Sequence, residues 1–164
     1  STIPFDDDTF DLVVASHVIE HLVDPVEFFG DCLRVCRPGR LLYVEAPSDR
    51  SLRTPSIPFL LDRHLMTSFY DDPTHISRPW TPQAFLRMAN CYGSVCEDTR
   101  YIVSWRRRLL LPFYLPAALL FGWSTQAVDW IWDAVGWSCF VLARKPATLS
   151  GLPRFVYQIP RKIA

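Results

Sequence analysis

Two short, nearly unbroken apolar runs bracket an amphipathic stretch near the start of the chain. Phe10 to Ala15 (Phe-Asp-Leu-Val-Val-Ala) and Leu41 to Ala46 do not alternate as one-sided strands do. Such runs suit strands buried on both faces, as in a parallel sheet. Between them Val26, Phe29, Leu33 and Cys36 recur at helical spacing. Asp24-Pro25 opens that helix, with Asp as the N-cap and Pro at the first helical position. Pro38-Gly39 closes it. Strand, helix and strand with short links predict a right-handed crossover unit.

The pattern resumes further on. Thr81-Pro82 starts a second helix by the same capping logic, running to about Cys91, and Tyr92-Gly93 ends it. Val95 to Ser104 reads as a strand, and Trp137 to Ala143 as a last one, stopped by Arg144-Lys145-Pro146. Residues 47 to 80 hold five Pro and scattered charge, which predicts a long functional loop or lid. Residues 105 to 136 break the regular order. There Arg106-Arg107-Arg108 leads into an apolar stretch from Leu109 to Phe121, and Trp123, Trp130, Trp132 and Trp137 follow. The stretch is shorter than the roughly 20 residues of a spanning helix, and Pro112 and Pro116 interrupt it. Three readings stand: a helical cover buried on the sheet, a membrane-interface anchor with Arg at head-group level, or a tunnel for a lipid-like acceptor. Apolar runs of about 10 to 14 residues are more often core, which favours the cover.

Composition narrows the class. At 164 residues, 49% hydrophobic and 21% charged, the chain is globular and long enough for a sizeable core. Seventeen basic and seventeen acidic residues cancel, so no overall field argues for nucleic acid. The five cysteines are odd in number and form no Cys-x-x-Cys pair. That favours neither a disulfide framework nor a zinc knuckle. Cys32 and Cys36 would share a helix face as buried thiols, which fits a reducing, cytoplasmic setting.

The order Pro4-Phe5, acidic turn, Phe-Asp-Leu-Val-Val-Ala-Ser, His-Val-Ile-Glu-His-Leu, Asp-Pro, helix, Arg-Pro-Gly and a strand ending Glu-Ala-Pro closely resembles class I S-adenosylmethionine-dependent methyltransferases. The likeness is greatest to the small-molecule and lipid-quinone type. It is dense to Ser48 and weaker through Trp80-Thr81-Pro82 to Ser104. The resemblance implies an α/β fold: a Rossmann-like, mainly parallel sheet with flanking helices and a hydrophobic helical insertion. The Phe10 strand would be the fourth of that sheet and the Trp137 strand its final antiparallel one. Residues 1–146 would form a partial domain with insertions at about 49–80 and 105–136, and residues 147–164 a C-terminal tail. The cofactor would be S-adenosylmethionine, with Phe5, Ala15, Ser16 and His17 on its side of the pocket. His21, His75 and Tyr70 are the candidate catalytic groups if the acceptor must lose a proton. The family's Gly-rich loop and ribose-binding acid have no counterpart in the chain. The expectation is therefore a chain that starts mid-domain, lacks most cofactor contacts by itself, exposes a sheet edge and self-associates or is poorly soluble.

The implied activity is methyl transfer to a small-molecule or lipid-like acceptor, with no nucleic-acid partner, in the cytoplasm or at the membrane surface through residues 106–123. One alternative is a non-catalytic module of the same half-fold. Another is a zinc protease, because His17-Val18-Ile19-Glu20-His21 also spells His-x-x-Glu-His, with Glu97 as an available third ligand. No metal site is expected on the main reading. His75 reads as a lid residue facing the acceptor or as a loop His bonded to backbone, and His64 as solvated surface.

Overall fold

A computed structural model of the protein describes residues 3–55 and 67–147. His64 and most of the expected tail lie outside the described residues. Strand β1 (Phe10–Ser16) leads through a 3-10 turn (Ile19–His21) to helix α1 (Pro25–Val35) and strand β2 (Cys36–Pro47). Helix α2 (Pro82–Cys91), strand β3 (Val95–Tyr101), helices α3 (Trp105–Phe121) and α4 (Ser124–Val135) and strand β4 (Ser138–Arg144) follow. The four strands lie in the order β1-β2-β4-β3. β1 pairs with β2 in parallel, and β4 runs antiparallel between β2 and β3. Three of the four described strands thus point one way, as the sequence implies, and β4 alone runs against them.

Capping chemistry sets both sheet-packing helices. Asp24 accepts a hydrogen bond from the Glu27 amide at 2.8 Å, and Pro25 occupies the first turn of α1. Thr81 accepts from the Ala84 amide at 3.1 Å ahead of Pro82 in α2. Each such cap contributes about 1 kcal/mol. Phe29, Cys32 and Leu33 from α1 meet Phe85, Met88 and Ala89 from α2 in one core. Leu42, Val44 and Ala46 of β2 and Cys139, Val141 and Ala143 of β4 complete it from the sheet. The helices therefore cover one face. On the other, Tyr43 and Phe140 stack at 5.3 Å and stay half-buried.

Three boundaries move. α1 ends at Val35, and β2 begins at Cys36 rather than Leu41. Pro38-Gly39 bulges within β2: Phe10 pairs with Cys36, and Leu12 with Leu41. Gly39 takes φ +74° there while its amide bonds the Lys145 carbonyl at 2.9 Å. Cys36 therefore leaves the helix, and the Cys32–Cys36 pair shares no helix face, although both thiols are free and buried. β3 stops at Tyr101, because Ser104 instead caps α3 by accepting from the Arg107 amide.

The 105–136 segment corrects the favoured reading. It forms a helical hairpin, and α3 packs on α4 rather than on the sheet. Tyr114 stacks on Trp130 at 3.9 Å, and Arg107 bonds Asp133 at 2.8 Å. Trp105, Leu109, Phe113 and Leu120 remain 73 to 79% exposed, so α3 is not a buried cover. Among the described residues no helix is long and apolar enough to cross a membrane.

Candidate functional site

The carboxyl ends of β1 and β2 lie side by side, with Ser16 paired to Glu45. In open α/β sheets ligands bind beyond such ends. Immediately after Ser16 the chain turns sharply: His17 sits in the left-handed region at φ +53°, and its amide bonds the Glu45 carbonyl at 3.0 Å. A β-carbon is uncommon in that conformation, so the surroundings must hold it. They do so through the ring. Nδ1 is 3.2 Å from Glu20 Oε1, and Nε2 is 3.4 Å from both Glu45 Oε1 and Ser138 Oγ. Trp132 and Trp137 stack at 4.2 Å beside the imidazole.

This geometry decides the charge of His17. Burial alone would push the imidazole down, but hydrogen bonds to Glu20 and Glu45 outweigh it and hold the ring up at about 9. His17 is therefore a cation at neutral pH. Its hydrogen bond holds Glu45 below the usual carboxylate range, and the Tyr43 hydroxyl, donating to Glu45 Oε2 at 2.8 Å, adds to that.

A second group lies next to it. The 3-10 turn Ile19–His21 is stitched to the loop after Asp72: the amides of Ile76 and Ser77 both donate to the Glu20 carbonyl at 2.9 Å. That joint brings His75 against His21, with ring centres 5.0 Å apart. His21 Nδ1 contacts the Thr74 carbonyl at 3.1 Å, and His75 Nδ1 the Phe69 carbonyl at 2.8 Å. His75 is thus a loop histidine bonded to backbone, and it also faces His21.

Of the residues singled out from sequence, Ala15, Ser16, His17, His21 and His75 gather at this edge. Ala15 is buried, and Ser16 is exposed. Phe5 lies ahead of the acidic turn at the amino end of β1, edge-on to Phe10 at 5.0 Å. An open apolar groove of about 310 Å³ along β1 has Phe5, Ala15 and Val18 among its lining residues. Tyr70 is 76% exposed, against Phe69. Sequence reasoning gave no site role to Glu45, Ser138, Trp132 or Trp137. Glu45 left a signal, as a lone acid closing an apolar strand. The other three left none, because only the fold brings them to His17.

The zinc-protease arrangement does not form. His17 and His21 lie on a strand end and a 3-10 turn, not on one helix, and His17 is held between two carboxylates. Glu97 sits toward the far end of the sheet, bonded to Arg144 at 2.7 Å.

Known proteins fit this picture. Residues 1–44 match the family of the methyltransferase domain. A ubiquinone biosynthesis O-methyltransferase of Parvibaculum lavamentivorans is 41% identical over 46 residues, 28% of this chain and 18% of that protein. The solved structure of the cyclase SpnF matches at TM-score 0.51 and 21% identity, covering 90% of this chain and 54% of the other. A phosphoethanolamine N-methyltransferase 2 of Haemonchus contortus, solved with S-adenosyl-L-methionine, matches at TM-score 0.54 and 16% identity over 87% of this chain and 34% of its own. The chain thus spans at most about half the length of these proteins. Residues 1–44 thus resemble a methyltransferase domain in sequence, and the described residues share the fold of these solved structures.

Proposed function

We propose that the protein transfers a methyl group from S-adenosylmethionine to a small-molecule or lipid-like acceptor. The observation that carries this reading is the match of residues 1–44 to a methyltransferase domain, laid out as a β1–α1–β2 unit with its open edge at Ser16 and Glu45. Fold alone would not suffice, since one fold hosts many reactions. The cyclase among the structural matches makes the same point.

The residues at the edge fit one flank of such a cofactor. Ser16 is exposed, Val18 is 38% exposed, and the apolar groove beside them suits a flat, weakly polar ring. Glu45, at the carboxyl end of β2, would put a carboxylate on the cofactor side of the edge. The chain contains no Gly-x-Gly turn, so these residues form one side of a pocket. The bound cofactor supplies an already activated methyl group; the protein's task is to align the acceptor and exclude water. Trp132 and Trp137 wall the site, and the His17 cation holds Glu20 and Glu45 in place. His21, whose side chain is 34% exposed, is the polar group on the acceptor side. His75 packs against it, and Tyr70 would take part only through the exposed loop that carries both.

A lipid-like acceptor is favoured by α3. Trp105, Leu109, Phe113, Pro116 and Leu120 fall within an arc of about 80° at 100° per residue. Arg106 and Arg108 flank that stripe at its amino end. An apolar stripe with flanking arginines suits a helix lying in a membrane interface.

Incubating the full-length natural protein with methyl-labelled S-adenosylmethionine and a fractionated cell extract tests the reading. Label entering the lipid-extractable fraction supports it. Label confined to water-soluble products removes the lipid arm, and no transfer to any fraction removes the reading.

A further inference from the structure

Three side chains meet where the 3-10 turn joins the loop after Asp72. Glu20, His21 and His75 each offer a ligand atom, and these atoms all lie within 4.8 Å of one another. The trio joins segments 53 or more residues apart, held together by the amides of Ile76 and Ser77 on the Glu20 carbonyl.

Two further observations point to a cation. Glu20 is 1% exposed, and its Oε2 is buried with no hydrogen-bond partner. An unsatisfied carboxylate oxygen is costly in a protein interior, and a bound cation relieves the cost. The histidines are also set for it. In each ring Nδ1 faces a backbone carbonyl, of Thr74 at 3.1 Å and of Phe69 at 2.8 Å. A ring whose Nδ1 donates to such a carbonyl presents Nε2 as its ligand atom. A carbonyl behind the ring is the usual second layer of a metal-bound histidine. His21 Nε2 is 3.9 Å from Glu20 Oε1, and Asp72 Oδ2 stands 3.7 Å from His75 Nε2.

We propose that Glu20, His21 and His75 bind one divalent transition-metal ion. Two imidazoles and one carboxylate suit zinc, iron, cobalt or manganese rather than calcium or magnesium. Ligand atoms on such an ion stand about 3.3 Å apart in a tetrahedral shell, so small side-chain rotations close the site. His75 is buried and His21 is a third exposed, so the remaining coordination positions open on the His21 side to water or an oxygen-bearing ligand. The inference rests on these residues and not on the methyl-transfer reading.

The test is cobalt binding to the full-length protein after chelator treatment. Expected is uptake of one Co²⁺ per chain, with visible absorption bands that Zn²⁺ abolishes. His21→Ala removes a partly exposed ligand, and His75→Asn keeps a donor for the Phe69 carbonyl. A loss of affinity of at least tenfold is expected in each variant whose melting temperature in chelator equals that of the parent protein. Absence of Co²⁺ uptake, or uptake unchanged in a variant that melts normally, overturns the proposal.

Discussion

His17 is the residue on which the edge of the sheet turns. Its backbone is in a disfavoured region, and its ring is held by Glu20, Glu45 and Ser138. The folded imidazole titrates at about 9, against an ordinary value of 6.5. A raised folded pKa gives stability that is complete below pH 6.5 and lost as pH climbs through 9. After discounting for the exposed third of the ring, that contribution is about 1 to 2 kcal/mol. Thermal melts of the full-length protein in chelator should therefore fall by about 3 to 6 °C more between pH 6 and pH 9 than those of His17→Gln. Parallel pH profiles would contradict the ion-pair assignment. Gly136 makes a steric counterpart. At φ +77° it ends α4, and an added β-carbon would lie 2.8 Å from Val103 Cγ2. Gly136→Ala should lower stability by about 2 kcal/mol or more, read from urea midpoints.

At the scale of elements, the sequence was legible where local chemistry agreed with packing. α1 and α2 announced themselves by Asp-Pro and Thr-Pro starts, and α1 also by its apolar spacing, of which Phe29 and Leu33 are buried in the helix. β1, β2 and β4 were legible as apolar runs. The bulge at Pro38-Gly39 was not, because Pro-Gly serves a helix end and a strand bulge alike. α3 was misread because an apolar stretch has the same sequence whether it is covered or exposed. Its two prolines do not end it: Pro112 and Pro116 are both exposed, and water can satisfy the carbonyls that lose an amide partner. The two helices should respond oppositely to the same change. Phe29→Ala, at a fully buried position of α1, should cost about 3 to 5 kcal/mol in urea unfolding. Phe113→Ala, 76% exposed on α3, should change stability by no more than about 0.5 kcal/mol. Equal losses would mean that α3 is buried after all.

At the scale of the molecule, the described sheet has edge strands at β1 and β3 and one helix-covered face. Leu12 and Val14 on β1 are 56% and 58% exposed, and the apolar groove runs beside them. An unpaired apolar edge invites a further strand. The exposed stripe of α3 is the second apolar surface. It should bring the full-length protein down with vesicles containing anionic lipid, and the double change Leu109→Ser, Phe113→Ser should reduce pelleting several-fold without changing the melting temperature. Vesicles that leave the protein in solution at low salt would remove the interfacial role.

The carboxyl edge of β1 is the proposed wall of the cofactor pocket. Calorimetric titration of the full-length natural protein with S-adenosylmethionine, beside a Ser16→Trp variant, tests it directly. Ser16 is exposed, so the added indole should fill the pocket without unfolding the chain. Saturable binding by the natural protein and a loss of at least tenfold in the variant are expected. Equal affinity in both, or no binding by the natural protein, would contradict it.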